Sequence, residues 1–311
     1  MPIDLRQFIK KINATVPFSG FLKFNEPMAK HTTFRTGGPA DLFVRPKKHI
    51  FLSWTQVLLK AAKAEGVPVF ILGGGANLLV SDKGIRGIVL DTGAWRGVTK
   101  QDDTVKVLSG SSIDKTVNCL AAMGLSGLEF LAGMPGTTGG ALWMNARCYE
   151  KSVSDVLAET QILDENFDIV TVPFNAEHFS YKKSPFQARK VLILNALFKV
   201  NLRNKRDIKK EMAEYRNDRK KKGHYRYPSA GSVFKNNHAF GAPTGKIIDE
   251  LGLKGLCKGG ASIAPWHGNF IINTGRARSE DIRFLIEEIA KIVKEKRGFE
   301  LEPEIIFAGE W

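Results

Sequence analysis

Residues Leu72 to Asp82 read LGGGANLLVSD, three consecutive glycines directly after a short apolar run. Glycine lets the main chain approach an anion closely with its N–H groups pointing inward, so this spacing suits a phosphate cradle. A second cluster, Gly133-Met134-Pro135-Gly136-Thr137-Thr138-Gly139-Gly140-Ala141, sets four glycines and a proline beside two hydroxyls, and many unencumbered N–H donors are expected there. A third glycine turn, Thr33-Phe34-Arg35-Thr36-Gly37-Gly38, adds a cation. The first loop is not GxGxxG, because Leu78 stands at the third glycine position, and Gly241–Lys246 is one residue short of a Walker loop. What three such loops could do together is hold the pyrophosphate of a dinucleotide in the groove between them.

The elements that would position these loops follow from periodicity. Between Ile50 and Glu65 the apolar residues Phe51, Trp54, Leu58 and Ala61 recur at helical spacing, and Gly66 stands where a helix stops. Val67–Leu72, Gly87–Leu90 and Val105–Leu108 read as short strands, and Ile113 to Met123 as a helix that Ser111 or Ser112 caps and Gly124 ends. Val156–Asp164, Ile169–Val172 and Val191–Val200 read as strands, the last buried. A basic helix follows from Lys205, where composition shifts and a domain boundary is expected near Asn201. Further on, the sequence predicts a helix at Lys246–Leu251 and a strand at Phe270–Asn273. A long helix capped by Ser279 comes next, then an extended Phe299–Phe307 in which Pro303 marks an edge strand.

With 311 residues, 43% of them hydrophobic, the chain can bury a substantial core in two or three domains, which excludes a disordered or fibrous protein. No stretch approaches the roughly 20 apolar residues of a membrane helix, and the opening residues have no apolar run like a signal peptide. A cytoplasmic location is expected. Cys119, Cys148 and Cys257 lie far apart without metal-ligand spacing, so reduced, mostly buried thiols and no metal are expected. The net charge of +14 implies anionic partners. The Lys205–Lys222 run interleaves Asp207, Glu211, Glu214 and Asp218, as a solvated helix face does.

In order along the chain, the segments TFRTGGPADL from Thr33, LGGGANLLVSD from Leu72, GLEFLAGMPGTTGGALWMNA from Gly127, PSAGSVFKN at Pro228–Asn236, HGNFIIN at His267–Asn273 and LEPEI from Leu301 resemble the UDP-N-acetylenolpyruvoylglucosamine reductase family. The resemblance covers nearly the whole chain. The short span from Ser184 to Ser232 resembles the compact branch, which lacks an inserted substrate-covering loop. It implies an α+β fold: a two-lobed FAD-binding unit of the vanillyl-alcohol-oxidase (PCMH) type plus a separate α+β substrate-binding domain. We divide these as 1–88, 89–200 and 201–311, with the C-terminal strand packing back near the flavin.

The implied activity is reduction of the enolpyruvyl ether of UDP-N-acetylglucosamine to UDP-N-acetylmuramate in peptidoglycan precursor synthesis, with NADPH as co-substrate and non-covalent FAD as cofactor. The implied FAD contacts are Arg35, Thr36, Gly73, Gly74, Gly75, Ala76, Asn77, Leu78, Ser81, Gly133, Met134, Pro135, Gly136, Thr137, Gly139, Gly140 and Ala141. Hydride addition to the terminal alkene carbon pushes charge toward the neighbouring carbon and its carboxylate, so the site needs an electrophile and a proton donor. Ser232 matches the family serine that protonates the carbanion. Glu304 matches the family glutamate that can share a proton with the substrate carboxylate if the fold buries it. Lys235 and Asn236 resemble residues beside the UDP group, one basic residue among Arg216, Arg219 and Lys220 is expected at its pyrophosphate, and Lys220 is carried among the substrate contacts. His267 and Asn269 lie in a family signature but equally suit structural hydrogen bonding.

Three departures stand out. The family's Tyr-Arg-x-Ser is Tyr181-Lys182-Lys183-Ser184 here, so Tyr181 is carried over as a substrate contact and Lys182 replaces the catalytic arginine. Lysine keeps the charge and loses the planar fork that grips a carboxylate through two bonds. Arg147-Cys148 follows Ala146 where the family has glycine, so that turn differs or Arg147 faces a phosphate, and Gly223-His224-Tyr225 stands before Pro228 in place of Gln-Pro. Two other readings stay open: an FAD-dependent sugar or alcohol oxidoreductase of the same superfamily, and a nonenzymatic nucleic-acid-binding protein driven by the basic helix. Under the favoured reading the partner is a UDP-sugar, with no nucleic acid or membrane, and a monomer is expected, with a weak homo-oligomer as the alternative.

Overall fold

The computed structural model describes residues 3–311, and the chain forms two units, each discontinuous in sequence. The first comprises residues up to Phe24, Leu42–Gly74 and Gly87–Asn217; the second comprises Asn25–Asp41, Gly75–Arg86 and Asp218–Trp311.

In the first unit, helix α1 (Leu5–Thr15) starts on Asp4, whose carboxylate accepts the N–H groups of Arg6 and Gln7, and α2 (Phe51–Glu65) ends on Gly66 at φ +70°. That left-handed conformation is the usual end of a helix and costs glycine nothing. The apolar faces of α1 and α2 bury Phe8, Ile12, Phe51, Trp54 and Leu58 with Leu42, Val44, Ile88 and Leu90 of strands Pro39–Pro46 and Ile85–Asp91. Each such side chain contributes about 1.5–3 kcal/mol when fully buried. Strand Val69–Leu72 runs parallel to Ile85–Asp91 and delivers the first glycine loop at its end.

A five-stranded antiparallel sheet makes the rest of this unit, in the order Ile169–Pro173, Leu157–Leu163, Leu192–Lys199, Thr104–Leu108, Val98–Gln101. The central strand is buried at six of its eight positions, as its near-continuous apolar run predicts. Helices α3 (Ile113–Met123) and α4 (Thr138–Trp143) pack on it through Val117, Leu120, Ala141 and Leu142, and α5 (Lys205–Lys221) adds Ile208 and Met212. Helix α3 ends on Gly124 at φ +75°, as the sequence predicts.

The second unit packs helices α6 (Thr244–Glu250) and α7 (Ser279–Arg297) against the three-stranded antiparallel sheet of Cys257–Lys258, Ala261–Ile263 and Ile271–Asn273. Strand Leu78–Val80 pairs in parallel with Ile306–Ala308 near the C-terminus, a pairing that joins residues more than two hundred positions apart. One expected cap is corrected. Ser279 is the first helical residue of α7 rather than its cap; Arg278 takes that place, and the Asp82 carboxylate accepts the N–H groups of Ser279 and Glu280, each at 3.0 Å. A carboxylate at the positive end of a helix is favoured twice, by hydrogen bonding and by the dipole.

The cysteine expectation is corrected as well: Cys119 and Cys257 are exposed and Cys148 is half-buried. Cys119 lies on the outer face of α3, and Cys257 on a two-residue edge strand, where nothing covers a small side chain. Among the described residues no helix is long and apolar enough to cross a membrane, and no cluster of His, Cys, Asp or Glu could hold a metal ion.

Candidate active site

Two of the glycine loops meet inside the first unit. A Cβ on Gly74 would lie 2.6 Å from Gly136 Cα and 3.2 Å from Thr137 N, and one on Gly73 would lie 2.6 Å from Thr137 Oγ1. Only glycine permits that approach, since real Cβ atoms do not come within 3.0 Å of main chain. The second loop rests on a bed that the sequence did not single out, Ser109-Gly110-Ser111-Ser112. Gly139 N–H donates to Ser109 O at 2.8 Å, Thr138 N–H to Ser111 O at 2.9 Å, and Ile113 N–H to Gly136 O at 3.1 Å. The signal was the small-residue run itself, read only as a helix start.

That network corrects the expectation of many free donors on the second loop. Gly133 N–H is held by Asp114 at 2.7 Å, Met134 N–H by Leu131 O, and Ala141 N–H by Thr137 O, so Thr138 and Gly139 are not alone in being spent on structure. The N–H groups of Gly136 and Thr137 stand outside these bonds. Asp114 also takes Arg216 at 2.6 Å. Burial alone would raise the Asp114 pKa, but the Arg216 guanidinium and the Gly133 N–H outweigh it and hold the carboxyl below its ordinary range. Arg216 therefore serves the glycine loop.

The third loop and the second half of the first meet inside the second unit. Thr33 N–H donates to Gly75 O at 3.0 Å, and a Cβ on Gly75, at φ +60°, would lie 1.9 Å from His31 O. Arg35 sits on the bend at φ +56° with its side chain exposed, and Thr32 Oγ1 donates to Thr36 O at 2.9 Å. Ser81 is tied to the C-terminal segment: its hydroxyl donates to Glu310 O and its N–H to Ala308 O.

These residues fit a phosphate-bearing cofactor. The hydroxyls of Ser109 and Thr137 in one unit and of Thr36 in the other are buried and make no hydrogen bond within the protein. A buried hydroxyl without a partner costs about 1–3 kcal/mol, which an acceptor oxygen of a ligand would recover.

Ser232 and Glu304 lie on two paired segments of the second unit. Ser232 follows Gly231, at φ +76°, and bridges Phe270, while Phe234 bridges Pro303. Glu304 N–H donates to Val233 O at 2.7 Å, so the glutamate lies across from the residue that follows Ser232. Asn269 clamps this strand: its Nδ2 donates to Phe234 O at 2.8 Å, its Oδ1 accepts Phe234 N–H at 2.9 Å, and its own O accepts Val233 N–H at 2.9 Å. A side-chain amide paired to both groups of one residue substitutes for a neighbouring strand, so Asn269 has a structural part in this strand. His267 Nδ1 accepts Asn269 N–H at 3.2 Å, and the rings of His267 and His224 pack on Phe270 with centroids 4.1 and 4.7 Å away. Burial, then the nearby Arg219, pushes the His224 pKa down to about 4, and burial also lowers His267.

Lys235 is ion-paired with Glu302 at 2.5 Å, and Asn236 Oδ1 accepts the N–H of Thr244 at the start of α6. Lys220 is exposed on α5, whereas Arg219 beside it is buried. Tyr181 and Lys182 occupy a turn of the first unit between Ser180 and Lys183. After Ala146, Arg147 is exposed and the turn Tyr149-Glu150 joins Arg147–Cys148 to Lys151–Ser152, with φ +51° and +63° at its two residues. Positive φ at both positions is the type I′ hairpin pattern, formed here without glycine or asparagine.

Comparisons with known proteins place the chain in a family. Residues 43–172 match the family model of the FAD binding domain, and residues 223–308 match that of the UDP-N-acetylenolpyruvoylglucosamine reductase C-terminal domain. A UDP-N-acetylenolpyruvoylglucosamine reductase of Treponema denticola is 41% identical over 309 residues, covering 94% of this chain and 95% of its own. That of Borreliella burgdorferi is 38% identical and covers 99% of each chain. The crystal structure of UDP-N-acetylenolpyruvylglucosamine reductase from Thermus caldophilus superimposes with a TM-score of 0.76 at 30% identity, over 94% of this chain and 99% of that one.

Proposed function

The chain belongs to the UDP-N-acetylenolpyruvoylglucosamine reductase family, whose FAD-dependent reduction of a UDP-linked enolpyruvyl sugar is its activity, and from that premise we propose how its own residues divide the work. Its fold is the α+β, vanillyl-alcohol-oxidase type of FAD-binding unit with a substrate-binding domain. When bound, FAD would supply the hydride chemistry, with NADPH as co-substrate.

The glycine-loop residues assigned by sequence hold the cofactor: Arg35, Thr36 and Gly73–Leu78, with Gly133–Thr137 and Gly139–Ala141. In the first unit, the Thr137 hydroxyl and the N–H groups of Gly136 and Thr137 are the groups left for its diphosphate. Ser232 donates its hydroxyl proton to the carbon beside the carboxylate as negative charge arrives there, forming the C–H bond that completes the lactyl ether. Water returns the proton to the serine. Lys182 takes the electrophile's role and draws charge onto the substrate carboxylate, and Glu304 takes the role of the glutamate that the family places near the C-terminus. Tyr181, Lys220, Lys235 and Asn236 bind the UDP-sugar, Lys235 exchanging its bond to Glu302 for one to the ligand. The protein works in the cytoplasm as a monomer that binds FAD without a covalent link.

The observation that supports this reading is the 2.7 Å bond from Glu304 N–H to Val233 O, which ties the C-terminal segment carrying Glu304 to the strand that follows Ser232. The deciding experiment is anaerobic: the yellow protein should bleach with NADPH and recolour when the enolpyruvyl UDP-sugar is added. Protein that stays reduced in the presence of that sugar would refute the assignment.

A further inference from the structure

Lys182 lies in the left-handed region, φ +59°, which a residue with a side chain occupies only where its surroundings hold it. Ser180 N–H donates to Lys183 O at 3.2 Å and Lys183 N–H returns a bond to Ser180 O at 3.0 Å, so Tyr181 and Lys182 alone form the bend. Positive φ at the third residue and not the second is the type II pattern, whose usual occupant there is glycine or asparagine.

The restraint comes from Gln187. Its Nε2 donates twice, to Lys182 O at 3.0 Å and to Trp143 O at 2.9 Å. Trp143 is the last residue of α4, and its carbonyl is among those a helix end leaves without an internal partner. Ser184 Oγ donates to the same oxygen at 2.8 Å, and Asn145 Nδ2 holds Ser180 O at 2.9 Å. Helix α4 starts from Thr137, so its six residues, about 9 Å at 1.5 Å per residue, join the glycine loop at one end to the Lys182 turn at the other.

We propose that Gln187 is a positioning residue for substrate reduction: its carboxamide locks Lys182 into this turn and so fixes where the ammonium meets the substrate carboxylate. The inference rests on the assignment of Lys182 above. Glutamine suits the task because one nitrogen carries two N–H groups, enough for both carbonyls. Lysine needs the help more than arginine would, since a flexible stem ending in a point charge carries no directional fork of its own.

The test is a double-mutant cycle on the FAD-loaded enzyme, read as reoxidation of NADPH-reduced enzyme by the enolpyruvyl UDP-sugar. Gln187→Leu keeps the size and removes both donors, so reoxidation should slow about tenfold, the usual effect of losing one or two such bonds. Flavin content and the rate of reduction by NADPH should stay at the wild-type level. In a Lys182→Ala background the same change should cost nothing more, because the group it positions is gone. Hydrogen exchange of the Lys183 amide, which closes the turn, should quicken about tenfold in Gln187→Leu.

Two results overturn the inference while leaving Lys182 in place: wild-type reoxidation in Gln187→Leu, or losses that multiply in the double variant, which mark a role independent of the lysine. Wild-type reoxidation in Lys182→Ala overturns both the inference and the assignment beneath it. Should leucine disturb packing, Gln187→Glu repeats the cycle with the N–H donors removed at constant size, and the same outcomes decide.

Discussion

Asn77 donates from its side-chain amide to the main-chain oxygen of Glu304 at 2.9 Å, and Ile306 N–H returns a bond to Asn77 O at 3.0 Å. A residue of the first glycine loop thus fixes the backbone of the C-terminal glutamate. Asn77→Ala removes the donor and should lower stability by about 1–2 kcal/mol, the cost of leaving a half-buried carbonyl unsatisfied. Because the same backbone carries Glu304, the variant should also reoxidise more slowly with substrate while still being reduced by NADPH. Urea midpoints and stopped-flow half-reactions check the two parts separately; a destabilised variant with wild-type reoxidation would uncouple Asn77 from the glutamate.

What the sequence made legible was local. Helices α2 and α3 ended on Gly66 and Gly124 because an apolar period followed by glycine needs no distant information. The glycine loops were legible for a similar reason: only close approach explains so many residues without side chains. What escaped was set by distance along the chain. Asp82 caps α7 from 197 positions away, Asn269 clamps Phe234 from 35, and the Ser109–Ser112 bed shows itself only once the second loop is laid on it. A carboxylate or amide carries no mark in the sequence saying which end of which element it will reach.

Ser232→Ala tests the proton donor directly. The Gly231-Ser232 backbone is held by its bridge to Phe270 and by Asn269 acting on the next two residues, none of which uses the serine hydroxyl. Flavin content and reduction by NADPH should therefore be unchanged, while reoxidation by the enolpyruvyl sugar falls by about 10²–10⁴, the usual worth of a positioned general acid. Reoxidation within a few-fold of wild type would take the role from Ser232.

Lys182→Arg should raise turnover. The left-handed φ of +59° burdens lysine and arginine alike, so the exchange adds no backbone strain, and Gln187 grips the main-chain oxygen whichever residue stands there. A gain of about three- to tenfold in the substrate-dependent half-reaction would reflect the second hydrogen bond of a guanidinium–carboxylate pair. An equal or lower rate would show that the pocket is shaped for lysine.

Gly74→Ala addresses the cofactor loops alone. The new methyl would stand 2.6 Å from Gly136 Cα and 3.0 Å from Gly136 C, both main-chain atoms that cannot swing aside as a side-chain tip can. One loop must shift, and the N–H groups of Gly136 and Thr137 shift with it. The expected product is folded protein with little bound flavin, seen as a normal far-ultraviolet dichroism spectrum with a reduced yellow absorbance. Full flavin content would mean that the loop contact does not shape the cradle.

His224 gives the fold a dependence on pH. Its ring is packed edge-on to Phe270, and burial holds its pKa at about 4 against an ordinary 6.5. Above pH 6.5 the ring is neutral whether the chain is folded or not, so it contributes no pH dependence there. As pH falls from 6.5 toward about 4 the unfolded chain takes up a proton that the folded one refuses, and stability is lost across that window. Below about 4 the folded protein also binds the proton and the loss from this residue levels off. His267, lowered in the same direction, adds to the slope, whereas Asp114, held below its ordinary 3.8, is protonated only at lower pH. His224→Phe, an aromatic ring without a titrating nitrogen, should flatten the dependence without abolishing it, since His267 remains. The check is a series of urea midpoints at intervals from neutral pH down to 4; wild type and variant falling in parallel through the window would show that His224 is not buried as a neutral ring. Because Phe270 also bridges Ser232, protonation of His224 in the folded protein, which comes only as pH approaches about 4, strains the strand that carries the proton donor, so reoxidation by substrate should weaken near that pH in the wild type and less so in the variant.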